Sequence, residues 1–99
     1  MSLNLTKNCL GPKGVKILAQ ALRTNTTLTS LTLDRNRLRN AGAIELANLI
    51  THGSRLRHLH ICGNTIECKG AIALADAVAD TVMLETLDLG ANSIEDVGT

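Results

Sequence analysis

One stretch of the chain concentrates side chains able to do chemistry. His58, His60 and Cys62 alternate with apolar residues in Arg57-His58-Leu59-His60-Ile61-Cys62. In an extended strand alternate residues share a face, so these three project together. Asp34 precedes Cys62 by the same interval at which Asp88 follows His60. Imidazole, thiolate and carboxylate are the ligand types zinc accepts, so a zinc-binding site at His58/His60 is one reading. Against it, Cα atoms at i and i+2 of a strand are about 6.5–7 Å apart, a span one ion bridges only with favourable rotamers. The preferred reading is a polar binding surface that carries two histidines, with no metal and no cofactor assigned.

A second group is basic. Arg35, Arg37, Arg39, Arg55 and Arg57 cluster in the middle of the chain. If residues separated by that same interval are lateral neighbours, Arg57 faces Glu85 and Arg39 faces Glu67, as surface ion pairs of small individual worth. Arg35 and Arg37 then remain free beside Lys7, as the candidates to meet an acidic patch on a partner. Nucleic acid is a poor match. Ten Lys and Arg against nine Asp and Glu leave a net charge of +1, and there is no Phe, Tyr or Trp on which a base would stack. No phosphate-binding loop, dinucleotide fingerprint or nucleophile elbow is present. Cys68 is expected at a helix start, where a thiol pKa can fall; a plain surface or capping role is the simpler reading.

The elements that position these residues follow from a repeat. Leu28 to Asn36, Leu56 to Asn64 and Leu84 to Asn92 each read L-x-x-L-x-L-x-x-N, with Ile61 for one Leu, and Leu3 to Asn8 matches most of it. Asn8, Asn36, Asn64 and Asn92 recur with a constant 28-residue period. Self-similarity at this period marks stacked repeats, here divided as 1–27, 28–55, 56–83 and a partial 84–99. Alternating apolar pairs (Leu31 and Leu33, Leu59 and Ile61) predict short strands with one buried face. An aliphatic follows each Asn (Leu10, Leu38, Ile66, Ile94), then a glycine (Gly14, Gly42, Gly70, Gly98).

Helical spacing comes next: Val15, Leu18, Ala19 and Leu22; Ala43, Leu46, Ala47 and Ile50; Ala71, Leu74, Ala75 and Val78. Helix starts are expected near Pro12, Asn40 and Cys68, with Asn40 as a cap, and ends near Thr24, His52 and Asp80. The outward strand positions are then Ser2, Asn4, Thr6, Ser30, Thr32, Asp34, His58, His60, Cys62, Thr86, Asp88 and Gly90. The four asparagines are read as structural, each amide satisfying loop backbone groups of its own and the next unit.

The pattern L-x-x-L-x-L-x-x-N-x-[LI] followed by G-[AV]-x-x-L-A, as in Gly42-Ala43-Ile44-Glu45-Leu46-Ala47, resembles the leucine-rich repeat family over essentially the whole chain. Within it, the 28-residue period resembles the ribonuclease-inhibitor-like subtype. Many repeats of ribonuclease inhibitor carry Cys at the Asn position, whereas all four here are Asn, so its redox sensitivity is not carried over. The resemblance implies an α/β, right-handed solenoid, a segment of a horseshoe. Parallel strands line its concave face and helices its convex face. It also implies a non-catalytic protein–protein interaction module. Two other classes stay open: an accessory or regulatory repeat domain of a GTPase-activating or NACHT-type innate immune protein, and the zinc site above. The expected partner-binding residues are Asp34, Arg35, Arg37, His58, His60 and Asp88.

Three cysteines without repeating spacing predict no disulfide framework and a cytoplasmic setting. No apolar run approaches the length that spans a membrane. The absence of polar end caps, which a solenoid needs, suggests a segment of a longer repeat protein or end-to-end self-association.

Overall fold

The computed structural model describes residues 1–24, 27–52, 55–79 and 83–92. The expectations for Asp80, Ile94 and Gly98 lie outside the described residues. Strands and helices alternate: β1 (Ser2–Asn4), α1 (Gly11–Leu22), β2 (Ser30–Thr32), α2 (Arg39–Thr51), β3 (His58–His60), α3 (Cys68–Ala79) and β4 (Thr86–Asp88). The strands form one parallel sheet in the order β1-β2-β3-β4. Ser2 pairs with Ser30, Ser30 with His58 and His58 with Thr86, so lateral neighbours occupy the same position in successive units.

Each strand is short because its pattern supplies one inward side chain between two outward polar ones. Leu31 and Leu59 are fully buried at the strand centres, and Leu33 and Ile61 follow them inward. Leu38, Leu46, Ile66 and Leu74 close the space between sheet and helices. Removing such a side chain from water stabilises by about 1.5–3 kcal/mol, so this thin, continuous core holds the two layers together.

The helical stripes are buried unequally, and the neighbouring helix decides which part. α1 packs on α2, and α2 on α3. Val15, Ala19 and Leu22 of α1 are buried, as are Ala43, Ala47 and Ile50 of α2. Of their α3 counterparts, Ala71 and Val78 are half-buried and Ala75 is exposed. Gly70, Leu74 and Ala77 are the buried residues of α3 instead. The expectation that Ala75 lies in the core is thus corrected: that side of a helix is covered by the helix of the next unit.

Asn40 also departs from expectation. It lies inside α2, whose preceding residue Leu38 makes no side-chain capping bond. Its Oδ1 accepts the backbone N–H groups of Glu67 (2.9 Å) and Gly70 (3.0 Å), so it caps α3, the helix of the adjoining unit. A helix start leaves its first N–H groups unsatisfied, and here the neighbouring unit supplies the acceptor. Gly70 permits this approach: a Cβ there would stand 2.8 Å from Asn40 Oδ1 and 2.8 Å from Ile66 Cγ2.

Candidate functional site

The strand face gathers the polar residues into rows. Ser30, His58 and Thr86 form one row, and Thr32, His60 and Asp88 the next. Because the leucines between them turn inward, these side chains have only the outer face to occupy. His58 Nδ1 lies 3.1 Å from Thr86 Oγ1. His60 Nδ1 lies 3.7 Å from Asp88 Oδ2, and both side chains are open to solvent, at 35% and 49% exposure. Beyond the strands the rows continue. The Cys62 backbone N–H donates to Asp34 Oδ1 at 2.7 Å, and Gly90 N–H donates to Asp88 Oδ1 at 3.0 Å.

Cys62 therefore sits between two carboxylates. Burial, a hydrogen bond with Asp88, and the negative charges of Asp34 and Asp88 push its thiol up to about 11. The same thiol contact, the Gly90 N–H and then His60 hold the Asp88 carboxyl below its ordinary range. At neutral pH this is a protonated thiol beside an ionised carboxylate. The thiolate is the form that attacks electrophiles and binds metals, so the surroundings work against either use of Cys62. The two imidazoles turn to different partners, Thr86 and Asp88. Among the described residues no three His, Cys, Asp or Glu side chains converge as a metal-ligand set.

The loops after the strands form the rim. Lys7, Arg35, Gly63 and Ala91 occupy the same place in successive units, and all four have positive φ, between 57° and 66°. Arg37 and Arg39 are also left-handed, at 57° and 60°. A non-glycine residue in this region costs about 1–2 kcal/mol. The asparagines between these residues hold the loops there. Asn36 is fully buried; its Oδ1 accepts from the Asn8 and Leu10 N–H groups, and its Nδ2 donates to the Leu5 and Leu33 carbonyls. Asn64 and Asn92 repeat the arrangement one and two units further on.

Arg57 approaches Glu85 at 3.8 Å, as its register predicts. The expected Arg39–Glu67 pair is absent among the described residues. The Glu67 carboxylate accepts from Asn40 Nδ2 at 3.3 Å instead, because the amide that caps α3 already lies beside it.

With the repeating strand, loop and helix established, the comparison with known families decides the assignment. The leucine-rich repeat family matches residues 1–19, 24–47, 55–75 and 82–98, most of the chain. The chain belongs to the leucine-rich repeat family. Its fold is similar to a solved structure described as leiomodin-1 actin-binding site 2, with a TM-score of 0.83 at 20% sequence identity. That likeness covers 95% of this chain and 54% of the other, so the chain spans about half the length of its structural neighbour. No curated protein matches the sequence. No helix of the described residues is long and apolar enough to cross a membrane.

Sequence reasoning brought His60 and Asp88 together correctly and missed the role of Asn40. The signal was available: Pro12, Asn40 and Cys68 share a repeat position, and only Asn40 offers an amide there.

Proposed function

We propose that this chain is a non-catalytic protein-binding module whose concave strand face contacts a folded or extended protein partner. The observation that carries the reading is the lateral row Thr32, His60 and Asp88, three polar side chains in register on adjacent strands. They form an open array, and the polar groups of Asp34, His58, His60 and Asp88 are spaced for several contacts with one partner surface. Arg35 and Arg37 extend that array at the rim. Asn8, Asn36, Asn64 and Asn92 serve it structurally. The 28-residue lateral register supports the ribonuclease-inhibitor-like subtype and the repeat division 1–27, 28–55, 56–83 and 84–99. Three free cysteines support a reducing, cytoplasmic setting.

Nothing specific favours the GTPase-activating, NACHT-type or zinc readings over this one. Actin is the first defined partner to test, because the leiomodin-1 structure is named as an actin-binding site. The test is co-precipitation by the wild-type chain and by the triple variant His58→Ala/His60→Ala/Asp88→Ala. Retention of a partner by the wild type and its loss in a triple variant with unchanged circular dichroism supports the reading. Equal retention by both contradicts it.

A further inference from the structure

The rim of the first two units is a local concentration of positive charge in a chain of net charge +1. Lys7, Arg35, Arg37 and Arg39 are all exposed. Lys7 and Arg35 share a repeat position, which places them about 4.8 Å apart laterally. None of the four forms an ion pair among the described residues, where the pairs are Arg57–Glu85 and His60–Asp88. Two carboxylates adjoining these positions in sequence or register have other partners: Asp34 Oδ1 accepts the Cys62 N–H, and Glu67 Oε1 accepts from Asn40 Nδ2. The corresponding rim positions of the third and fourth units are Gly63, Thr65, Glu67 and Ala91, which carry no cation.

Arg35 is also seated. A Cβ on Gly63 would stand 3.1 Å from Arg35 Cγ and 3.9 Å from its Nε, so the arginine stem runs over the glycine of the next loop. The glycine at that one position of its column leaves the space the stem occupies. A guanidinium whose stem is supported loses less freedom on binding.

We propose that Lys7, Arg35, Arg37 and Arg39 form a docking edge for an acidic, Asp/Glu-rich segment of a protein partner. This rests on the reading of the chain as a protein-binding module and names the chemistry of part of what it binds. Arginine pairs with carboxylates through two parallel hydrogen bonds, and three of the four cations are arginines. A nucleic acid fits less well, since no aromatic side chain exists for a base to stack on. An anionic membrane fits less well too, since the exposed Ile17 and Ile72 belong to the helices and not to this edge.

The test is fluorescence anisotropy with a labelled hexaglutamate peptide and the full chain. Binding at low salt that weakens about tenfold or more in Arg35→Gln/Arg37→Gln is the expected result. Lys13→Gln/Lys16→Gln, on α1, is expected to bind as the wild type does. No binding at low salt, equal weakening by the Lys13/Lys16 variant, or tighter binding of an oligothymidylate or of phosphatidylserine vesicles overturns the docking edge. If peptide binding persists while the triple strand-face variant keeps its protein partner, the rim proposal survives and the concave-face reading fails; if peptide binding is absent while that variant loses its partner, the rim proposal fails and the concave-face reading stands.

Discussion

Asn64 Oδ1 accepts the backbone N–H of Asn36 at 2.7 Å, and Asn36 Oδ1 accepts that of Asn8 at 2.8 Å. The contact has a direction. The carboxamide oxygens of Asn36, Asn64 and Asn92 serve the unit before them and not the next one as expected, and each Nδ2 reaches back to a carbonyl of that same preceding unit, as from Asn64 to Leu33 (3.0 Å). One side chain thus ties two loops together while remaining fully buried. Loops that hold Arg35 and Arg37 in left-handed backbone conformations depend on these bonds.

Asn64→Leu therefore strands the N–H groups of Asn36 and Leu38 and loses one of the two donors at the Leu33 carbonyl. Unsatisfied buried groups cost about 1–3 kcal/mol each, and partial relaxation makes the expected loss roughly 2–4 kcal/mol. Chemical denaturation of wild type and variant measures it. A variant as stable as the wild type would mean the ladder does not hold the units together.

The cap supplied by Asn40 makes a separate prediction. Asn40→Ala removes the acceptor of two N–H groups at the start of α3, at a cost of about 1 kcal/mol for loss of a cap. Gly70→Ala pushes a methyl against the same oxygen and against Ile66, and should cost at least as much. Because both act at one contact, the double variant should lose less than the sum of the singles. Strict additivity in a double-mutant cycle would separate the two residues.

The thiols give a pH-dependent prediction. Cys62 is held as a thiol up to about 11, so its alkylation by iodoacetamide should be slow at pH 8 and rise steeply only towards pH 11. Asp88→Ala removes a hydrogen-bond partner and a charge that both raise this pKa, and should move the profile to lower pH. The folded pKa lies above the ordinary value of 9.0, so its contribution to stability is intact below about 9 and is lost as pH rises towards 11. Peptide mapping after timed alkylation reads the rate at Cys62. Rapid labelling at pH 8 would contradict the environment described.

Much of the fold was legible because the repeat states it several times. Alternation at Leu31 and Leu33 or at Leu59 and Ile61 needs only a two-residue period, and the Asn spacing sets the lateral register. Hence His60 was correctly placed between Thr32 and Asp88. What was not legible depends on contacts between units. Ala75 has the same place in its helix as Ala19 and Ala47, yet its burial is decided by a neighbour, not by its own stripe. Asn40 has the residue type of a cap, and only the stacking reveals which helix it serves. Nothing in the letters Arg35, Arg37 or Arg39 signals a positive φ; the buried asparagines impose it. The Glu67 pairing failed for the same reason, since register names a neighbour without naming its competitors.

The claim that the strand face is where this chain meets its partner is tested most directly by site-specific photo-crosslinking. A benzophenone side chain is placed at Thr32, in the centre of the polar rows, or at Gln20, exposed on α1, and each chain is irradiated with actin and with cell extract. A discrete adduct is expected from Thr32 that disappears in the His58→Ala/His60→Ala/Asp88→Ala background, and none from Gln20. An adduct from Gln20 alone, or a Thr32 adduct indifferent to the triple substitution, would contradict that claim.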